Sequence, residues 1–158
     1  MATREQRTIL VVDDEEMVVT SLRTLLGMEM PYQVLGLTSP KAALALIRHN
    51  PIDLVISDFI MPEMDGLTFL KDVRGLYPEA SLIVLTGYAD KQSAIRAINE
   101  VGLFQYLEKP WDNEDLLHII EDGLNRRLAV HRLQEYSREL EARVRGLESD
   151  LAKLKKQG

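Results

Sequence analysis

The sequence predicts an α/β protein built on a doubly wound parallel sheet, and two observations carry that prediction. Five short runs are almost continuously apolar or β-branched, and they are residues 8–12, 33–37, 53–57, 81–85 and 104–108. Segments with apolar residues at helical spacing lie between these runs. Continuous apolar runs suit strands that are covered on both faces, and strands that alternate with helices indicate βα units around a parallel sheet.

The segments that follow the five runs each carry one apolar helical face. Two of these segments begin with typical capping residues. Ser39 precedes Pro40, and Asp112 precedes Asn113, which are favourable pairs for a helix start. Five βα units favour a three-layer sandwich with the flavodoxin-like strand order 2-1-3-4-5 over a barrel. The expected inward faces are Met17, Leu22, Leu25, Leu26; Ala42, Ala43, Leu46, Ile47; Leu67, Leu70, Val73, Arg74; Ala94, Ile95, Ile98, Val101; and Leu116, Ile119, Ile120, Leu124.

The composition excludes several classes of protein. Hydrophobic residues make up 46% and charged residues 28% of the chain, which is typical of a globular protein with a real core. No apolar run reaches the length of a transmembrane helix, and the N-terminal MATREQRT lacks the apolar core of a signal peptide. The absence of cysteine excludes disulfides and thiolate metal sites. We therefore expect a cytoplasmic protein that does not enter a membrane.

The charge distribution divides the chain in two. Residues 1–125 hold 10 Lys and Arg against 20 Asp and Glu, whereas residues 126–158 hold 9 against 5. This break predicts an acidic domain over residues 1–125 and a mildly basic coiled-coil or linker helix over residues 126–158. The acidic domain is a poor candidate for nucleic-acid binding, and we expect no direct contact with nucleic acid.

The C-terminal part of the chain has a heptad pattern. There is no proline from Asn113 to about Lys156, and seven of the eight seam positions between Val130 and Leu154 are apolar. Leucine at every d position and valine at two a positions favour a parallel two-stranded coiled coil, with a seam about 36 Å long. The alternative is a single amphipathic helix folded against its own domain. The expected dimer seam consists of Val130, Leu133, Leu140, Val144, Leu147, Leu151 and Leu154, with Ser137 as its polar member.

The charges beside the seam agree with a parallel homodimer. A residue at position g faces the residue at position e five places later on the other helix of the pair. Arg143 then faces Glu148, and Asp150 faces Lys155, so both pairs are attractive.

Polar side chains follow four of the predicted strands. Asp13 and Asp14 follow the first strand, Asp58 the third, Thr86 the fourth and Lys109 the fifth. In the order 2-1-3-4-5 the first and third strands are neighbours, so the three carboxylates are expected to converge at the carboxyl edge of the sheet. Crowded carboxylates repel one another unless a cation is present, and such oxygen ligands suit Mg²⁺.

The same residues suit phosphoryl transfer. A metal ion, a lysine and a hydroxyl group around one carboxylate supply the positioning and charge neutralisation that this reaction needs. Asp58 is the expected nucleophile, because carboxylates form aspartyl phosphates. Taken singly, Asp13 and Asp14 are equally typical of a helix cap.

The segments VVDDEE, ISDFIMPEMDG, VLTGYAD and YLEKPW resemble the receiver domain of bacterial two-component response regulators, the CheY-like family, over roughly residues 7–125. The resemblance implies that Asp58 accepts a phosphoryl group from the phosphohistidine of a sensor histidine kinase, with Mg²⁺ or Mn²⁺ as cofactor. It also implies self-catalysed chemistry only, so we do not expect an ordinary enzyme. In many relatives a coiled coil leads to an output domain.

The resemblance assigns roles residue by residue. Asp14 and Asp58 are expected to ligate the metal directly, Ile60 through its backbone carbonyl, and Asp13 through water. The residues expected to bind the phosphoryl group or to switch with it are Thr86, Tyr106 and Lys109, with Pro110 after a cis peptide bond. Phosphorylation is expected to change the face of helix four, strand five and helix five.

Two positions bear on the lifetime of the phosphoryl group. Ile60 lies two residues after the phosphoacceptor, and Tyr88 lies two after the threonine. Neither side chain is acidic or an amide, so neither is suited to orient an attacking water. We expect slow self-dephosphorylation.

Three other functions compete with a phosphorylation switch. A phosphorylation-independent dimerisation adaptor would keep the fold but not the complete site. Nucleic-acid binding through Arg126, Arg127 and Arg132 is disfavoured, because apolar residues interrupt them. A metal-dependent phosphatase would need an acid where Ile60 stands. Trp111 is expected to pack at the start of the last helix.

Overall fold

The computed structural model describes residues 7–87 and 91–157, in which five strands alternate with five helices. The strands form one parallel sheet in the order β2-β1-β3-β4-β5, which confirms the predicted fold class. The strands are β1 (Thr8–Val12), β2 (Gln33–Leu37), β3 (Leu54–Asp58), β4 (Ser81–Thr86) and β5 (Gln105–Glu108). The helices are α1 (Glu16–Glu29), α2 (Pro40–Ile47), α3 (Gly66–Leu76), α4 (Lys91–Val101) and α5 (Asn113–Gln157).

Two functional residues belong to strands rather than to the loops after them. Asp58 is the last residue of β3 and pairs in register with Leu85, and Thr86 is the last residue of β4 and pairs with Glu108. The predicted run 53–57 therefore begins and ends one residue too early, and the predicted run 81–85 ends one residue too early. Both residues keep the backbone pairing of the sheet, so their side chains start from fixed positions.

The sheet separates two hydrophobic clusters, as expected for strands covered on both faces. Leu10 and Val12 belong to the cluster that also contains residues of α2 and α3, whereas Ile9 and Val11 belong to the cluster with residues of α1 and α5. Every residue of β1 is buried. This covering of both faces explains why the strands read as continuous apolar runs.

The predicted inward face of α1 is partly wrong. Leu22 and Leu26 are buried as expected, but Met17 is 81% exposed and Val19 is buried instead. Positions 19, 22 and 26 lie within one stripe of a helix with 3.6 residues per turn, and position 17 lies nearly opposite that stripe. On α2 and α4, Ala42 and Ile95 are likewise exposed, whereas the side chain of Ile98 lies outside the described residues.

The predicted helix starts are confirmed by their hydrogen bonds. The backbone N–H of Ala42 donates to Ser39 Oγ at 3.1 Å, and Pro40 is the first residue of α2. The backbone N–H of Asp115 donates to Asp112 Oδ1 at 3.1 Å at the start of α5. Both side chains satisfy N–H groups that have no partner inside the helix.

The chain comprises two compact units, Met1–Leu124 and Asn125–Gly158. In the second unit the residues of the heptad seam are exposed, from 39% for Val130 to 68% for Leu147. Within the described residues no helix is long and apolar enough to cross a membrane.

Arg74 connects α3 to the end of α4. Its guanidinium donates to the carbonyl oxygens of Pro78 and Ala80 at 2.8 and 2.7 Å, and to those of Val101 and Gly102 at 3.3 and 2.8 Å. The last carbonyls of a helix have no partner inside it, and a cation there is favourable. The sequence pattern placed Arg74 on the inward face of α3, but its carbonyl partners depend on tertiary contacts.

We expect Arg74→Ala to lower the free energy of unfolding by about 3 kcal/mol, because it removes several charge-assisted hydrogen bonds. Arg74→Lys should recover only part of the loss, since lysine lacks the planar fork of donors. The measurement is urea denaturation. Arg48→Ala is the control, because the side chain of Arg48 is exposed at the end of α2 and makes no hydrogen bond with the described residues. Equal effects of the two alanine variants would contradict this role.

Candidate functional site

Three carboxylates converge where β1 and β3 end. Asp13 and Asp14 follow β1, Asp58 closes β3, and one oxygen from each residue lies within 4.8 Å of the others. Asp13 and Asp58 are buried, and Asp14 is exposed. The order of the strands produces this cluster, because β1 and β3 are hydrogen-bonded neighbours in a parallel sheet.

Lys109 is the cation that faces this cluster. Its Nζ lies 3.1 Å from Asp13 Oδ2 and 3.4 Å from Asp58 Oδ1. Burial lowers the pKa of Lys109, but its hydrogen bond to Asp13 and the charges of Asp13 and Asp58 outweigh that effect and raise the pKa above its ordinary value. Lys109 is therefore fully protonated at neutral pH.

Both oxygens of Asp13 have protein partners. Oδ1 accepts the backbone N–H of Glu15 at 2.9 Å, and Oδ2 accepts from Lys109. The side chain is fully buried. A carboxylate held in this way is better placed to reach a cation through a water molecule than to bind it directly.

Asp58 is held on one oxygen. Oδ1 accepts the backbone N–H of Phe59 at 2.9 Å and faces Lys109, whereas no donor in the described parts of the chain reaches Oδ2. Burial, the charge of Asp13 and the neighbouring carboxylate of Asp14 raise the pKa of Asp58 from 3.8 to about 6, although Lys109 acts in the opposite direction. With the three carboxylates ionised and one lysine beside them, the cluster carries two excess negative charges at neutral pH.

The remaining predicted residues lie at the end of β4, within β5 and directly after β5. Thr86 is fully buried, and its hydroxyl has no hydrogen-bond partner among residues 7–87 and 91–157. The backbone N–H of Lys109 donates to Thr86 O at 2.8 Å, and the peptide bond between Lys109 and Pro110 is cis, as predicted. Tyr106 is half-buried and packs against the cluster that contains α2 and α3.

Trp111, Ile60 and Tyr88 were also singled out in the sequence. Trp111 packs against the hydrophobic cluster around α1 and α5, which confirms the packing role. The side chain of Ile60 is 58% exposed, and the ligand role of its carbonyl stays a prediction. Tyr88 lies outside the described residues.

The residues present fit a hard divalent cation. Three carboxylates against one lysine leave a negative charge that a cation would neutralise, and the donors are all oxygens, which Mg²⁺ prefers. The unpaired hydroxyl of Thr86 is a buried donor of the kind that a ligand oxygen would satisfy. The sequence predicted that the three carboxylates and Lys109 converge, and the structure brings them together.

Sequence reasoning missed the role of Gly66. A Cβ atom at this position would lie 2.5 Å from Phe59 O and 2.8 Å from Asp58 O. The backbone N–H of Gly66 donates to Phe59 O at 2.8 Å, so α3 starts directly against the backbone of Asp58 and Phe59. The only sequence signal is a glycine at the first position of a helix, where better helix formers are usual.

The fold and this site define the chain as a receiver domain. Residues 9–121 match the response regulator receiver domain family, and the chain belongs to it. This family is regulatory rather than catalytic, it binds Mg²⁺ at an acidic pocket, and membership implies a histidine kinase as partner.

Among curated proteins, the chain is 38% identical over 120 residues to the hydrogenase transcriptional regulatory protein HoxA of Cupriavidus necator, covering 76% of this chain and 24% of HoxA. It is 35% identical over 122 residues to the transcriptional regulatory protein ZraR of Escherichia coli, covering 77% of this chain and 27% of ZraR. The chain thus spans about a quarter of the length of these relatives.

Two solved structures show the same fold. The signal receiver domain of an HD domain-containing protein from Pseudomonas fluorescens Pf-5 is 33% identical, with a TM-score of 0.76 and coverage of 84% of this chain and 96% of that one. A response regulator receiver domain protein from Clostridium thermocellum is 33% identical, with a TM-score of 0.73 and coverage of 78% and 98%.

The raised pKa of Asp58 predicts the pH dependence of stability without divalent cations. The folded state binds the Asp58 proton more tightly than the unfolded state, so the free energy of unfolding falls as the pH rises from 3.8 to about 6 and stays reduced above that range. Asp58→Asn lacks this penalty and should be about 3 kcal/mol more stable than the wild type at neutral pH.

This advantage should vanish below the ordinary pKa of aspartate and shrink when Mg²⁺ is added, since the cation stabilises only the intact cluster. The measurement is urea denaturation across this pH range in EDTA and in Mg²⁺. A wild type as stable as Asp58→Asn at neutral pH in EDTA would contradict the electrostatic account.

Gly66→Ala should lower the free energy of unfolding by about 2 kcal/mol and slow phosphorylation of Asp58, because the new Cβ displaces the carbonyls of Asp58 and Phe59. Gly75→Ala in the same helix is the matched control, since a Cβ there meets no atom within 4 Å. That control should be neutral or stabilising by up to about 1 kcal/mol. The idea fails if both variants behave alike in denaturation and phosphorylation.

Proposed function

We propose that this chain is a phosphorylation switch in which Asp58 accepts a phosphoryl group from the phosphohistidine of a sensor histidine kinase. The observation that carries the proposal is the buried Asp58 carboxylate, which lies beside Asp13, Asp14 and Lys109 and has one oxygen that no donor in the described part of the chain contacts. The carboxylate is a nucleophile, Lys109 offsets charge, and the Thr86 hydroxyl is available to a phosphoryl oxygen.

The residues divide the work of the transfer. Asp14, Asp58 and the carbonyl of Ile60 would hold Mg²⁺ or Mn²⁺, with Asp13 acting through water. The metal, when bound, neutralises the charge of the phosphoryl oxygens. Asp58 Oδ2 forms the new bond to phosphorus while the bond between phosphorus and the histidine nitrogen breaks, and the imidazole leaves with that electron pair.

Lys109 and Thr86 then bind the oxygens of the phosphoryl group on Asp58. The ammonium group of Lys109 lies where it can bind a phosphoryl oxygen, and the buried hydroxyl of Thr86 gains the partner it lacks. Movement of Thr86 allows Tyr106, which is half-buried, to bury its ring. The face of α4, β5 and α5 changes as a result. Neither Ile60 nor Tyr88 suits the orientation of water, so the phosphoryl group is long-lived.

The C-terminal helix is the proposed output of this switch. Its seam residues are apolar, and in this single chain they are exposed, which is costly unless a second helix covers them. A parallel homodimer through the seam from Val130 to Leu154 would bury them. Phosphorylation would then act on helix pairing.

Two wider assignments rest on the relatives. HoxA and ZraR are named as transcriptional regulatory proteins and are about four times longer than the matched region, so an output domain that acts in transcription is part of the proposal for the whole protein. The lack of cysteine and the family of cytoplasmic regulators favour the cytoplasm. The competing function is a phosphorylation-independent dimerisation adaptor.

Incubation with acetyl phosphate and Mg²⁺ should add one phosphoryl group, measured as intact mass. Asp58→Asn, or EDTA in the wild-type sample, should abolish the gain. Once excess donor is removed, the phosphoryl group should persist for far longer than in a fast, chemotaxis-type receiver. A folded wild-type sample that gains no mass, and does not bind beryllofluoride, would favour the adaptor.

Leu140→Asp should convert a dimer into a monomer at micromolar concentration, measured by sedimentation equilibrium, because it places a charge at a central d position of the seam. Ala142→Asp is the matched control, since residue 142 lies on the same helix outside the seam and is exposed. A wild type that sediments as a monomer, or a Leu140→Asp variant that remains dimeric, would contradict the coiled coil.

A further inference from the structure

Ser57 occupies an unexpected position in the sheet. It is fully buried in β3, and its register partners on the neighbouring strands are Val12 and Val84, which are both buried in the core. A hydroxyl group in such a place is unfavourable unless it makes a hydrogen bond. An apolar residue of similar size would suit the packing, so the hydroxyl itself requires an explanation.

The hydroxyl of Ser57 contacts the backbone of the phosphoacceptor. Ser57 Oγ donates to the carbonyl oxygen of Asp58 at 2.9 Å. This carbonyl belongs to the peptide group whose N–H is that of Phe59. The same N–H donates to Asp58 Oδ1 at 2.9 Å and lies 3.2 Å from Leu85 O in the sheet. One peptide group therefore connects Ser57 to the carboxylate of Asp58.

Hydrogen bonds at the two ends of a peptide group strengthen each other. A donor on the carbonyl polarises the group and makes its N–H a better donor. Without the Ser57 hydroxyl, the plane of this peptide would be held by Leu85 O on the N–H side and by the close approach of Gly66 on the carbonyl side. The bond to Asp58 Oδ1 would be weaker and its direction less fixed.

We infer that Ser57 is a positioning residue for the phosphoacceptor, acting on Asp58 through the intervening peptide group; this inference rests on the proposed phosphorylation of Asp58. With Oδ1 held by the Phe59 N–H, Oδ2 is the oxygen that no donor among the described residues contacts. Ser57 thus fixes which oxygen reacts. It also fixes the start of the backbone segment that leads to the carbonyl of Ile60.

Ser81→Ala provides a matched control for Ser57→Ala. Ser81 is also a buried serine of the sheet, and its hydroxyl donates to a backbone carbonyl, Gly123 O, at 2.7 Å. Ser81 begins β4, whereas Ser57 is the residue before the last of β3. The two serines therefore lie at opposite ends of two neighbouring parallel strands, and only Ser57 lies at the end where Asp58 and Thr86 are found. Both variants lose one buried hydroxyl donor, and only one of them is connected to the site.

The experiment compares the wild type, Ser57→Ala and Ser81→Ala by three measurements. These are the amide proton shift of Phe59 in the metal-free protein, the affinity for Mg²⁺ by calorimetry, and the rate of phosphorylation by acetyl phosphate. In Ser57→Ala we expect an upfield shift of the Phe59 amide proton, a Mg²⁺ affinity at least threefold weaker and a rate about tenfold lower. Ser81→Ala should retain wild-type values in all three.

A Ser57→Ala variant with the wild-type Phe59 shift and Mg²⁺ affinity would overturn the inference, as would equal changes in Ser81→Ala. A wild type that is not phosphorylated at all would contradict the proposed function instead. In that case the Phe59 amide proton still decides whether Ser57 positions Asp58: a shift in Ser57→Ala alone supports positioning, and its absence excludes it.

Discussion

The rest of the site depends on one electrostatic conflict, which is the repulsion among three crowded carboxylates. The parallel order of the sheet brings Asp13, Asp14 and Asp58 to within 4.8 Å of one another, and one lysine, Lys109, faces them. Burial and carboxylate neighbours raise the pKa of Asp58 to about 6, which expresses the cost of this arrangement in the protein alone. A divalent cation would remove the cost, and the charge of a phosphoryl group would bring the cation and Lys109 together. The conflict makes the site responsive to ligands.

The backbone around Asp58 keeps the conflict in a fixed geometry. Gly66 lies against the carbonyls of Asp58 and Phe59, and Ser57 donates to the first of them. The backbone N–H of Lys109 donates to Thr86 O, so the backbones of the lysine and the threonine are held together at the ends of β5 and β4. A carboxylate with freedom to turn away would relieve its repulsion by moving. Here the backbone contacts oppose such a movement, so the crowded carboxylates keep the arrangement that would suit a cation.

The fold and the main site were predictable because their signals are local. Apolar runs gave the strands, and the rule that ligands bind at the carboxyl ends of strands brought the carboxylates together. The prediction of the inward face of α1 was partly wrong, because Met17 is exposed and lies nearly opposite the buried stripe of Val19 and Leu22. The roles of Ser57 and Gly66 could not be predicted, because they depend on how closely two backbone segments approach.

The central claim is tested most directly by a crystal structure of the protein grown with Mg²⁺ and beryllofluoride. We expect a cation about 2.1 Å from oxygens of Asp14, Asp58 and the Ile60 carbonyl, with the beryllofluoride group on Asp58. We also expect Thr86 and Lys109 to contact the fluorine atoms. Density without a cation between the three carboxylates, with Asp58 unmodified, would contradict the claim.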